Sequence, residues 1–446
     1  MRCTVRRLGQ APSDPCLEST MKEGYFPKWE LKAEGMVAPD ERLPWGQTVM
    51  LGIQHVVAMF GATALAPIIM GFDPNVSIFF SGIGTLIFFL LTGGRVPSYL
   101  GSSFAFIAVV VAVTGYSGSG PNMNIPLALG GIVGAGVLYT LIGVIVSFAG
   151  YAWVEKLMPP VVTGAVVAAI GLNLAPLGVK AVSASGFDVF IGLSTVLMIG
   201  LVAVRAPGSA RRLPILLGGL GGYALYLVCA NLLGLAKPID FSAVANADWI
   251  GLPDFVAPVF DISAIGIITP IAIILVAENL GHIKAIGGMS GRNLDPYMGR
   301  AFVGDGLATI VSAFGGGTGV TTYAENMGVM AATRIFSTLL FVVAALFAIL
   351  LGFSPKFGAL IMTIPGPVIG GLELVVFGLI AATAGHIWVE NRVDFSNIRN
   401  LITVGVTLIA GAGNLVVNLG PLNLGGIGTA TFGAILLYQL LREKEG

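Results

Sequence analysis

From residue 46 onward the chain alternates long apolar runs with short breaks of glycine, proline and charge. The runs fall at 46–71, 74–92, 98–114, 125–149, 159–178, 187–204, 213–235, 262–283, 299–314, 321–333, 335–353, 359–384, 397–412 and 424–441. Most approach the roughly 20 apolar residues that a helix needs to cross a bilayer. The pattern predicts an all-α polytopic membrane protein with fourteen transmembrane segments. Segments 3 (98–114) and 10 (321–333) are short and rich in Gly, Ser and Thr, and are expected to be broken.

Composition agrees with that reading. Hydrophobic residues make up 55% and charged residues 10%, against about 25% charge in a soluble domain, and mean hydropathy is +0.90. The net charge of zero removes the case for a nucleic-acid partner. Cys3, Cys16 and Cys229 form neither a disulfide framework nor a metal site, so no metal or cofactor is expected. Residues 1–45 are polar and carry no cleavable signal. The stretch before Met21 differs in character from the rest, and the expected biological start is Met21.

Charge orients the segments. With a cytoplasmic N-terminus, all but three of the 23 Lys and Arg (Lys180, Lys237 and Lys356) fall on the cytoplasmic side. The outside connection 236–261 carries Asp240, Asp248, Asp254 and Asp261 instead. Both termini, 1–45 and 442–446, are therefore expected in the cytoplasm, and the chain in the cytoplasmic membrane surrounded by lipid.

The chain also repeats itself. A shift of 222 superimposes Gly82, Gly84, Gly93 and Gly94 on Gly304, Gly306, Gly315 and Gly316, and sets Ser103 opposite Glu325 and Phe104 opposite Asn326. Pro160–Leu172 parallels Pro367–Leu379 with a shift of 207. Repeats of seven segments, an odd number, have opposite orientations. That is the inverted-repeat plan of secondary transporters, whose site lies where the broken helices meet near the midplane. Ser102, Ser103, Phe104, Thr321, Thr322, Tyr323 and Glu325 are then expected to face one another.

Two acids stand out in this apolar chain, Glu325 and Glu278, with His282 one turn beyond the latter. A carboxylate at bilayer depth costs about 2.5 to 3.5 kcal/mol on insertion scales, so it persists only when buried among protein, paired or wetted. An ionised carboxylate accepts hydrogen bonds, whereas a protonated one also donates. Two acids together therefore match a ligand with alternating N–H and C=O groups.

The run from Glu325 to Arg334 resembles the nucleobase–ascorbate transporter signature, in which Gln, Glu or Pro is followed by Asn-x-Gly-x4-Thr and a final Arg, Lys or Gly. Gln54-His55 resembles that family's Gln-His motif. The runs Tyr99–Phe106 and Ala277–His282 resemble segments 3 and 8 of its uracil permeases, and bacterial pyrimidine permeases of the pyrimidine-degradation type resemble the chain most. The resemblance, over about 37–441, implies a transporter domain at 46–441 with a core (segments 1–4 at 46–149 and 8–11 at 262–353). It also implies a gate (segments 5–7 at 159–235 and 12–14 at 359–441) that carries a homodimer contact.

It further implies that Glu278 and Glu325 hold a nucleobase and that Phe104 and Tyr323 line the pocket with Ser103 and Ala324. His282 then joins Glu278 in proton coupling, while Gln54, His55, Asn326 and Thr322 support the core. Ala324 departs from the glycine of the family's uracil permeases and bears on pocket width. The function implied is proton-coupled uptake of a pyrimidine, uracil first and thymine next, with the proton as coupling ion.

Other readings stand beside it. Purine and xanthine permeases of the family usually carry Gln where this chain has Glu325. An anion transporter on a related seven-plus-seven fold would bring a basic residue to the site, and here two acids stand with no Lys or Arg before Arg334. No nucleophile–base pair or phosphate loop occupies a water-facing segment, which argues against an enzyme. Asp305 is expected to cap or brace segment 9, His386 to lie at a segment end, and Glu373 has no assigned role. Trp45, Trp153, Trp249 and Trp388 fall near segment ends, where indoles anchor at the interface.

Overall fold

A computed structural model describes residues 24–32, 35–116, 122–419 and 422–442. The expected start at Met21, and Cys3 and Cys16, lie outside the described residues. The chain opens with strands β1 (Glu30–Leu31) and β2 (Glu41–Arg42), then helices α1 (Trp45–Met70) and α2 (Pro74–Leu91). Strand β3 (Leu100–Ser102) leads through a 3-10 turn (Phe104–Phe106) to α3 (Ile107–Thr114) and α4 (Ile125–Ala149). After the short α5 (Ala152–Leu157) come α6 (Pro160–Val182), α7 (Gly186–Arg205) and α8 (Pro214–Leu227), and α9 (Ser242–Asn246) lies in the following connection.

The second half repeats this order. It contains α10 (Ile262–Ile268), α11 (Ile271–Ser290), α12 (Met298–Phe314), β4 (Val320–Thr322), α13 (Ala324–Thr333), α14 (Leu339–Gly352) and α15 (Pro355–Ile361). It ends with α16 (Gly366–Glu390), α17 (Ile398–Ala412), the strands β5 (Val417–Leu419) and β6 (Leu422–Leu424), and α18 (Gly426–Leu440).

Local chemistry sets the boundaries. Helix α1 stops at Gly71, whose φ of 76° is the left-handed cap favoured by glycine. Asp73 then caps α2 by accepting from the Asn75 N–H at 2.7 Å, with Pro74 at the first helical position. Pro270 separates α10 from α11, and the latter runs past the expected end at 283 to Ser290, stopping at left-handed Gly291. The expected segment 359–384 is displaced: α15 takes its start, bent by 87° from α14, and α16 begins only at Gly366 after Pro365. The fold is mostly helical, and beside the helices stand three two-stranded pairs, of which β3–β4 matters most.

Among the described residues eight helices are long and apolar enough to cross a membrane, nine if the bent pair α14–α15 counts as one crossing. The protein is an integral membrane protein. Helices α2, α4, α12 and α14 pack together with α1 and α10, while α6 and α16 pack along their lengths with α7, α8, α17 and α18 around them. Small residues permit both contacts. A methyl group at Gly136 of α4 would lie 2.9 Å from the Gly306 carbonyl of α12, and one at Gly171 of α6 would lie 2.6 Å from the Phe377 carbonyl of α16.

Candidate functional site

Strands β3 and β4 pair antiparallel, Leu100 with Thr322, Gly101 with Thr321 and Ser102 with Val320. The Ser103 N–H donates to the Gly319 carbonyl at 2.9 Å and the Tyr323 N–H to the Tyr99 carbonyl at 3.1 Å, which extends the ladder at both ends. Thr322 follows Leu100 by 222 positions, the shift that superimposes the two halves. Leu100 thus faces its own counterpart under that shift. Ser103 is paired with Gly319 across the ladder, while Glu325 is its counterpart under the shift.

The ladder answers the cost of broken backbone in an apolar medium by pairing N–H and C=O groups that the breaks set free. Side chains complete it. Thr85 Oγ1 accepts from the Leu100 N–H at 2.9 Å, Thr309 Oγ1 from the Val320 N–H at 3.2 Å, and the Thr318 hydroxyl donates to Ser102 Oγ at 2.6 Å. A Cβ at Gly101 would collide with the Tyr323 ring and Thr63 Oγ1, so only glycine lets the strands meet there.

From the ladder two half-helices run outward. The first opens at Phe104 with Ser103 Oγ accepting from the Ala105 N–H, and the second opens at Ala324 with Glu325 in its first turn. First-turn N–H groups have no intrahelical partner and carry a partial positive charge. The residues around these two helix starts differ in exposure. Ala324 is exposed, and Phe104, Glu278, His282 and Glu325 are partly exposed. Ser102, Ser103, Asn279, Thr321, Thr322, Tyr323 and Asn326 beside them are buried. The Glu278 and Glu325 carboxyls lie within Coulombic reach of each other. Phe104 meets Phe377 of α16 edge-on with ring centroids 6.4 Å apart, linking the two groups of helices.

The supporting residues are locked in place. The Tyr323 hydroxyl donates to the Ser102 carbonyl at 2.8 Å, so this side chain is buried against the ladder. Asn326 Nδ2 lies 3.0 Å from both Nδ1 and the carbonyl oxygen of His55, which ties the signature run to the Gln-His motif. The Gln54 Nε2 amide is buried with no protein partner, as is Thr321 Oγ1.

His282 shares a helix face with Glu278, and its hydrogen bond runs to β4: Nδ1 is 2.8 Å from Thr322 Oγ1. The Thr322 hydroxyl donates to Asn279 Oδ1 at 3.4 Å, so His282 supplies the donor from Nδ1. Asn279 Nδ2 donates to Asp305 Oδ2 at 2.7 Å, and the Tyr139 hydroxyl donates to the same oxygen at 3.2 Å. Asp305 is fully buried and braces α4, α11 and α12. Tyr139 and Asn279 were not singled out from the sequence. Asn279 lies inside the quoted run Ala277–His282, but nothing in the sequence pairs it with positions 139 and 305. Glu373 is buried on α16 against Gly178 of α6, and its Oε2 has no partner.

Residues 46–420 match a family model described as "Permease family". The chain is 63% identical over 423 residues to the RutG pyrimidine permease of Escherichia coli strain K12, covering 94% of this chain and 96% of that protein. It is 40% identical over 415 residues to the uracil permease of Paenibacillus larvae, covering 90% and 96%. It is 38% identical over 427 residues to the uracil permease of Escherichia coli strain K12, covering 92% and 96%. Among solved structures it resembles SLC26A9, with TM-score 0.61, 13% identity, and coverage of 88% of this chain and 65% of the other. It also resembles the transmembrane domain of the cyanobacterial bicarbonate transporter BicA, with TM-score 0.60, 16% identity, and coverage of 88% and 97%. At that identity the likeness concerns the fold. Its relatives are permeases rather than enzymes, and the chain belongs to the nucleobase–ascorbate transporter family.

Proposed function

We propose that the protein takes up a pyrimidine nucleobase, uracil first and thymine next, together with protons by alternating access. The observation that carries this reading is the convergence of Glu278, Glu325 and two half-helix N-termini on one partly exposed space beside Phe104. The names of the relatives supply the substrate class.

Uracil presents ring N–H donors beside carbonyl acceptors. Glu325 accepts from a ring N–H, the first-turn N–H groups donate to a carbonyl, and the Phe104 ring covers an apolar face. Glu278 is the proton site. Two carboxylates sharing a low-dielectric site resist being ionised together, so a proton on one favours the arrangement that binds the base. By linkage the base then favours the proton, which is symport. His282 acts in this coupling from Thr322 and the Asp305 network.

In this reading the chain crosses the bilayer fourteen times as two inverted repeats of seven, with both termini in the cytoplasm. Helices α1–α4 and α10–α14 form the core, α6–α8 and α16–α18 the gate, and the gate carries a dimer contact. The solved neighbours include an anion transporter, but two acids and no Lys or Arg border this site, so an inorganic anion is repelled. Competition of labelled uracil uptake by thymine and xanthine tests the substrate class. Inhibition by thymine alone is expected, and equal inhibition by xanthine would favour a purine permease.

A further inference from the structure

Helix α13 carries Glu325 in its first turn, yet only Asn326, Val329 and Met330 of its ten residues are buried. A helix of that length is marginal alone, and besides the Asn326–His55 tie in its first turn it depends on what holds its two ends. Its inner end is held by the β3–β4 ladder. Its outer end is held by the segment that precedes α1.

After Arg334, which turns left-handed at φ 56°, the chain meets Val37. The Val37 N–H donates to the Arg334 carbonyl at 3.0 Å, and the Phe336 N–H donates to the Val37 carbonyl at 2.8 Å. Val37 is fully buried. Trp29 Nε1 donates to Thr338 Oγ1 at 2.9 Å, and that hydroxyl lies 3.0 Å from the Gly94 carbonyl and 3.1 Å from that of Pro39. Tyr25 donates to the Leu90 carbonyl at 2.8 Å, Trp29 stacks on Phe89, and Asp40 pairs with Arg292 at 2.8 Å. The segment thus joins the end of α2, the end of α11 and the α13–α14 junction.

The other half has the same device at the opposite end of α2. The segment before α10 donates from the Val259 N–H to the Pro126 carbonyl at 2.8 Å and from the Gly251 N–H to the Phe353 carbonyl at 2.9 Å. Phe255 packs on Phe79 and Phe80 near the start of α2. Gly94 and its counterpart Gly316 both have positive φ, and a Cβ there would meet Trp29 at 2.8 Å and the Val256 nitrogen at 2.7 Å. Each strap therefore crosses the end of its own repeat's second long helix and reaches the junction that follows the other repeat's broken helix.

We propose that the strap before α1, through Val37, is a positioning element for substrate binding. By holding the outer end of α13 it sets where Glu325 lies at the inner end, and it stays docked throughout the cycle. This rests on the reading of Glu325 as the nucleobase-binding acid.

The test uses full-length protein in proteoliposomes with labelled uracil as probe. Val37→Cys and Ile335→Cys, which form the bridge between strap and junction, are introduced with Cys3, Cys16 and Cys229 replaced by serine. Oxidised and reduced samples are expected to transport alike; arrest on cross-linking would overturn the proposal. Val37→Pro removes the N–H donor and is expected to raise KM by about three- to tenfold, with little change in maximal rate per folded protein. A merely structural role would lower the amount of folded protein and leave KM unchanged, and that result also overturns it. Should Val37→Pro fail to fold, Thr338→Val is read by the same criterion. Glu325→Gln runs in parallel: a wild-type KM there refutes the role of Glu325, while the cross-link still judges whether the strap stays docked.

Discussion

At the scale of single residues, the site divides into partly exposed side chains and the buried side chains that hold them. Glu325→Gln keeps shape but loses the charge that strengthens a hydrogen bond. Hydrogen bonds to charged groups contribute about 1.5 to 3 kcal/mol, so KM for uracil is expected to rise by about ten- to a hundredfold. Glu278→Gln is expected to leave exchange of external for internal uracil while abolishing accumulation driven by a pH gradient; loss of both would assign Glu278 to binding alone. Thr322→Val removes the partner of His282 and of Asn279. Its expected signature is an altered pH profile of uptake at normal expression, and an unchanged profile would remove this network from the coupling step.

Among elements, the two broken helices were legible in the sequence because they are short, polar and flanked by repeated glycines. Their counterpart shift was legible too, and the ladder places Leu100 directly opposite Thr322. The strands themselves were not, since three residues give no measurable period. The bond from His282 to β4 and the hub at Asp305 were equally hidden, because they join positions 139, 279, 305 and 322 through space alone. The displaced start of α16 has a local cause in Pro365, which reads in sequence only as a break within an apolar run. Gly101→Ala is expected to destroy the ladder by driving a methyl group into the Tyr323 ring. Loss of folded protein in detergent checks this, and a normal yield of active transporter would contradict it.

For the whole molecule, the strap and the Phe104–Phe377 contact lie on opposite sides of one distinction. On the proposed function the strap joins elements that would move together, whereas Phe104 and Phe377 belong to the two groups of helices that alternating access would move apart. Cysteines at 104 and 377 are expected to arrest uptake when cross-linked and to restore it on reduction, provided both single variants transport. Free uptake by the cross-linked protein would place both residues in one rigid body.

The most direct test of the central claim is labelled uracil uptake into proteoliposomes of the purified protein, with an imposed pH gradient acid outside. Accumulation above the external concentration is expected, collapsing when a protonophore dissipates the gradient. Uptake that only equilibrates, unchanged by gradient or protonophore, would contradict a proton-coupled nucleobase transporter.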